Sequence, residues 1–144
     1  MKHLAMAQQY LGAMDAFGFP ETDLDFVEII REGLPVSIFS SLCDLLDLSE
    51  AKAAKELRIA VRTIARRKQN GERLNPYESE SVLRLAYVVA AGTDVLGSEE
   101  NAKKWLVAEN RALGGKPPIT LLDTGIGFQD VVDVLGRIEH GVYS

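Results

Sequence analysis

Two arginines four residues apart, Arg62 and Arg66, are the side chains whose type and spacing point most directly to a chemistry. On a helix, positions i and i+4 share a face. A guanidinium donates two parallel hydrogen bonds to guanine O6 and N7, so such a pair can read base edges in a major groove. Thr63 lies between them in sequence. Arg67, Lys68 and Arg73 follow, better placed for phosphates, which position a protein on a duplex but carry no sequence information. All belong to a basic island: residues 51–73 hold eight lysines and arginines against two glutamates, half of the 16 basic residues in a chain of net charge −5. Residues 1–50 hold two basic and nine acidic side chains, and residues 74–144 hold six and ten. An acidic protein with one compact basic island presents a single face to a polyanion.

Other chemistries find little footing. Cys43 is the single cysteine, and with only His3 and His140 beside it the chain builds neither a disulfide framework nor a multi-cysteine zinc site. Cys43 falls on an apolar stripe and reads as an inert core thiol. His140 beside Glu139 reads as a contact with a helix C-terminal dipole rather than an acid–base pair. Gly114-Gly115-Lys116 lacks the upstream glycine and the preceding strand of a phosphate-binding loop. Without a paired-carboxylate motif, a nucleophile elbow or a metal-ligand cluster, no catalytic residue, cofactor or metal is expected, and the chain is not read as an enzyme. No segment approaches the roughly 18 apolar residues of a membrane span. Lys2 precedes apolar residues, but Gln8, Gln9 and Asp15 interrupt them, so the N-terminus reads as an amphipathic helix and the expected location is the cytoplasm.

The elements that must position these residues all read as helix. Leu4, Ala7, Leu11 and Met14 repeat at helical spacing and Gly18-Phe19-Pro20 stops them. Thr22 can cap a second helix that buries Phe26, Ile29 and Ile30 and ends at Gly33. Pro35 fits the first position of a third, with Val36, Phe39, Leu42, Cys43 and Leu46 as its stripe. Ser49 caps Glu50–Leu57, a break at Arg58–Ala60 follows, and a helix from about Val61 to Gln69 closes at Asn70-Gly71. Asn75-Pro76-Tyr77-Glu78 combines a cap, a proline and a reciprocal glutamate, opening a helix to about Leu96 with Val82, Leu85, Val89 and Leu96 inside. Gly97-Ser98 introduces Glu99–Leu113, and Gly114-Gly115-Lys116-Pro117-Pro118 is the clearest break. A short turn at Ile119–Asp123 and a last helix at Phe128–His140 complete an all-α chain. Its expected divisions are an N-terminal helical segment at 1–47, a central DNA-binding unit at 48–97 and a small helical unit at 98–144.

Residues 50–69 fit a helix-turn-helix. Close crossing of its two helices needs a small residue in the first, and Ala54 stands there with Ala53 beside it. Leu57, Ile59 and Ile64 supply the apolar positions around the turn and in the second helix. Val61, Arg62, Thr63, Ala65, Arg66 and Gln69 are left outward, on the helix that enters the major groove. The turn position that usually holds glycine holds Arg58, which predicts a more open turn. Binding to a palindromic operator requires a twofold partner, and the apolar-striped N-terminal helices are candidates for that homodimer interface.

The C-terminal third carries a resemblance. Arg111 to Tyr143, especially Pro118, Leu121, Leu122, Thr124 and Gly127, then Leu135, Arg137, Ile138, Gly141 and Val142, resembles the Xre-type antitoxins of RES–Xre toxin–antitoxin systems, relatives of the MbcA and ParS antitoxins. Arg66, Arg67, Leu74, Glu78, Ser79 and Ser81 are similar to the family's stretch after the motif. The resemblance runs from about Leu46 to Ser144, two-thirds of the chain. It implies a C-terminal toxin-binding domain that covers the active site of a RES-domain toxin, an enzyme that degrades NAD. It also implies a helix-turn-helix that binds double-stranded DNA at the promoter of its own operon as a dimer, making the chain a repressor. Carried onto this sequence, the toxin-facing residues are Arg137, Ile138, Gly141, Val142, Tyr143 and Ser144, with Leu122 and Thr124 as neighbours. An apolar tail ending in Tyr143 and a carboxylate would fill a cleft built for an anionic, aromatic cofactor. The alternative is a stand-alone helix-turn-helix regulator with a ligand-sensing C-terminal domain, which needs a sizeable pocket there and no protein partner.

Overall fold

A computed structural model describes residues 23–141. The proposed first helix, the Thr22 cap and the tail residues Val142, Tyr143 and Ser144 lie outside the described residues. Within them the chain forms α1 (Asp23–Glu32), α2 (Val36–Leu46), α3 (Glu50–Glu56), α4 (Val61–Asn70), α5 (Pro76–Leu96), α6 (Glu99–Val107) and α7 (Gly125–Glu139). Two 3-10 turns, Arg111–Leu113 and Pro118–Leu121, join α6 to α7. The only β pairing among the described residues is an isolated bridge between Asn110 and Lys116. No described helix is long and apolar enough to cross a membrane.

Local chemistry sets the starts of these helices. Ser49 accepts a hydrogen bond from the Lys52 N–H and Ser98 from the Asn101 N–H. Asn75 and Glu78 make the reciprocal capping box, with Pro76 at the first helical position. Each satisfies amide groups that a helix N-terminus leaves without partners. Gly33 ends α1 at φ +91°, and a Cβ there would sit 2.2 Å from the Leu74 carbonyl oxygen. The chain therefore crosses closely at this point, and Leu74 N–H donates to Leu34 O at 2.9 Å.

Four expectations are corrected. Pro35 caps α2 with extended backbone rather than occupying its first turn. The helix begun at Ser98 stops at Val107, because Ala108 turns extended and Asn110 then caps a separate 3-10 turn. The last helix starts three residues before Phe128, at Gly125, because Thr124 caps it. Phe26, Ile29, Ile30 and Leu96 are half-buried rather than interior.

α5 is the spine. α1 packs on it, as do α6 and α7, while α2, α3 and α4 pack on one another. Its small residues Ala90, Ala91 and Gly92 are buried and let α6 approach until a Cβ on Gly92 would touch the Ala102 Cβ at 3.4 Å. One continuous apolar core runs from Leu34 and Phe39 through Leu57, Ile64, Leu85 and Val89 to Leu122, Val131 and Leu135.

Candidate functional site

α3 and α4 form the helix-turn-helix. Ala53, Ala54 and Leu57 are fully buried, and Ile59 and Ile64 nearly so, as close crossing of two short helices demands. The turn is not open. Arg58 takes the left-handed conformation at φ 62°, and the Arg58 and Ile59 N–H groups donate to Lys55 O and Ala54 O. The tight geometry is kept with a residue for which it is strained by about 1 kcal/mol.

The structure divides the six expected DNA-facing residues into two groups. Arg62 and Arg66 are exposed on α4, the face the spacing assigned to base edges, with Thr63 half-buried beside them. Arg67 is turned inward. Its side chain is 13% exposed and donates to both oxygens of Glu78, at 2.8 and 3.3 Å, and to Glu72 at 3.1 Å. Glu78 is itself buried, so the pair fixes the C-terminal end of α4 to the start of α5 instead of standing ready for a phosphate. Lys68 is bonded to Glu50 across the motif, and Arg73 donates to Gly33 O at 3.0 Å. The sequence reading missed these engagements because the carboxylate partners stand 11 and 18 residues away, at no helical spacing.

The C-terminal unit is built from turns. Leu122 is fully buried, and its carbonyl accepts from Arg84 of α5 at 3.2 Å. Thr124 Oγ1 accepts from the Gly127 N–H at 3.0 Å. A Cβ on Gly127 would lie 2.1 Å from Leu121 O, so the first turn of α7 fits against the 3-10 turn only with glycine there. Ile126, between these fixed points, is 80% exposed. Arg137 is exposed and lines an open groove of about 460 Å3 with Lys116, Leu121, Asp130, Asp133 and Val134. Ile138 is half-buried against the core, and Gly141 is exposed at φ 69°. Cys43 lies in the core, where burial, with Glu50 and Asp44 nearby, pushes its thiol up to about 12. Among the described residues no group of three or more histidine, cysteine, aspartate or glutamate side chains could hold a metal ion.

Residues 25–87 match the antitoxin Xre-like helix-turn-helix domain, and residues 91–141 match the antitoxin Xre/MbcA/ParS C-terminal toxin-binding domain. The antitoxin Xre of Yersinia enterocolitica is 32% identical over 119 residues, covering 82% of this chain and 80% of that protein. This chain belongs to the Xre antitoxin family. The antitoxin Xre of Photorhabdus laumondii is 30% identical over 129 residues, covering 88% and 87% of the two chains. A Prs ADP-ribosylating antitoxin of a Sphingobium strain is 28% identical over 130 residues, covering 84% and 82%.

Within this antitoxin the helix-turn-helix domain begins well before α3, since its match takes in α2 and most of α1. The toxin-binding domain begins inside α5, so the spine helix belongs to both. Of the residues expected to face the toxin, Leu122 is buried in the core, whereas Thr124 caps α7 and is itself exposed. Ile126, which the sequence analysis did not single out, stands exposed beside them.

Proposed function

We propose that this antitoxin binds and silences a RES-domain toxin that degrades NAD, through residues 91–141 and the tail beyond, and that it represses its own operon as a DNA-bound dimer. It acts in the cytoplasm by binding, not by catalysis. The observation that carries the reading is the coexistence in one chain of an Xre-like helix-turn-helix with Arg62 and Arg66 outward and a matched toxin-binding domain. On the toxin side we assign Arg137 and Ile138, Gly141, and the tail Val142, Tyr143 and Ser144. On the DNA side we assign base reading to Arg62 and Arg66, supported by Thr63. Arg67, Lys68 and Arg73 hold the frame of the domain in the unbound structure and reach phosphates only by exchanging their present partners.

A second reading of the toxin's chemistry follows from the Sphingobium relative, whose name specifies ADP-ribosylation of Prs. A toxin that transfers ADP-ribose also consumes NAD, so one experiment separates the two. The chain is co-expressed with the protein encoded beside it, co-purified, and cellular NAD and ADP-ribosylated protein are measured. A stable complex that preserves NAD, with no labelled protein when antitoxin is withheld, supports the degrading toxin. Labelled protein supports the transferase. No complex, with DNA binding intact, returns the chain to a stand-alone regulator. Deleting residues 141–144 tests the tail: unchanged neutralisation shows that it is not the plug. Light scattering that shows a monomer at micromolar concentration, with and without toxin, refutes the dimer.

A further inference from the structure

Arg58 and Asp123 are 65 positions apart, yet the Arg58 Nε lies 4.0 Å from Asp123 Oδ2. One residue forms the turn of the helix-turn-helix, and the other stands at the entrance to α7. The two ends of this contact differ in freedom. Asp123 sits between the buried Leu122, whose carbonyl Arg84 holds, and Thr124, which caps α7; its side chain is 21% exposed. Arg58 is 74% exposed on a long flexible stem, with its backbone locked at φ 62°. The carboxylate is held by its neighbours, while the guanidinium stands largely in solvent. Ile59, which is buried, and Ala60 and Val61, both exposed, separate Arg58 from Arg62, so the guanidinium starts just before the N-terminal edge of the recognition helix, the end directed at DNA in this motif. A duplex seated there brings phosphates within the reach of Arg58. An ion pair this exposed and this long is weak, and a phosphate offering charge-assisted hydrogen bonds competes with it.

We infer that Arg58 is a further phosphate contact of the DNA-binding face, and that Asp123 of the toxin-binding domain sets its availability by competing for it. The inference rests on the DNA-binding reading above. It makes operator affinity sensitive to whatever lies on residues 122–126, because a cation or a surface that occupies Asp123 releases Arg58 to the phosphate.

The test is a double-mutant cycle, using a labelled duplex of the DNA upstream of this gene and full-length protein, with affinity measured across a salt series. Asp123→Asn is expected to tighten binding roughly fivefold at low salt, the scale of one exposed charge contact. Arg58→Gly, which the left-handed turn accommodates, is expected to weaken binding and to flatten the salt dependence by about one counterion per subunit. Arg58→Lys, which keeps the charge in the same turn, should retain the slope. In the Arg58→Gly background, Asp123→Asn should have no effect. Persistence of its gain there would mean that Asp123 acts only through the general field and would overturn the inference, as would an Arg58→Gly protein with wild-type affinity and slope. Arg62→Ala with Arg66→Ala reports separately on the motif: if the pair leaves sequence preference intact, the recognition helix is wrongly chosen whatever the cycle gives. A wild-type protein that does not bind the duplex overturns both.

Discussion

Gly127 carries a constraint that no other residue type meets. Its α-carbon faces Leu121 O so closely that Gly127→Ala must either push the 3-10 turn away or break the Thr124 cap. The expected cost is about 1–3 kcal/mol of stability, read by thermal unfolding, with toxin binding weakened because the α7 start shifts. Gly136 has open space beside it, so Gly136→Ala on the same helix should stabilise by a few tenths to about 1 kcal/mol. Cys43 makes the opposite kind of prediction. Its thiol ionises well above the ordinary range, at about 12 against 9.0. The folded state therefore keeps its proton when the unfolded chain would lose it. That contribution to stability is complete below pH 9.0 and disappears between 9.0 and about 12. In practice, iodoacetamide at pH 8 should leave the native protein unlabelled and label it once denatured; rapid native labelling would contradict the burial.

At the level of elements, the junction between α4 and α5 concentrates several roles in Glu78. It completes the capping box at the start of α5 and holds Arg67 at the end of α4 with both oxygens. Glu78→Ala therefore removes a cap and leaves the largely buried Arg67 guanidinium with Glu72 as its remaining carboxylate partner. A loss of about 3–5 kcal/mol is expected, and any protein that still folds should bind DNA more weakly because α4 is no longer held at its C-terminal end. Denaturant unfolding and a binding titration check the two parts. The same junction shows what was legible in the sequence. The capping box, the Ser49 and Ser98 caps and the apolar stripe of α2 were readable because each is decided within four residues. The inward turn of Arg67 was not, since a basic residue in a basic run gives no sign that a carboxylate will reach it from the next helix. The α7 start was misplaced for a related reason: two glycines argue against a helix until the neighbouring carbonyl that requires one of them is in place. Arg58 was read as opening the turn, whereas packing of Leu57 and Ile59 on either side forces it closed. On the DNA face, the outward residues were legible from periodicity; which basic residues were committed elsewhere was decided by tertiary contacts.

Over the whole molecule, the two matched domains meet along α5 and share one apolar core. With no separate core for either, heat or denaturant should unfold them together. Trp105 fluorescence, from the toxin-binding side, and far-ultraviolet circular dichroism, dominated by all the helices, should give coincident transitions. Two separated transitions would show that the domains are independent. The shared core also bears on the lifetime of the antitoxin in a cell. If the two transitions coincide, a protease that acts on the opened chain finds no state in which one half is exposed and the other still folded. Under the function proposed above, each degraded molecule would uncover a toxin and vacate an operator in a single event. An operon repressed in this way would answer the loss of its product with fresh transcription, with the cooperativity of the fold as its sensor.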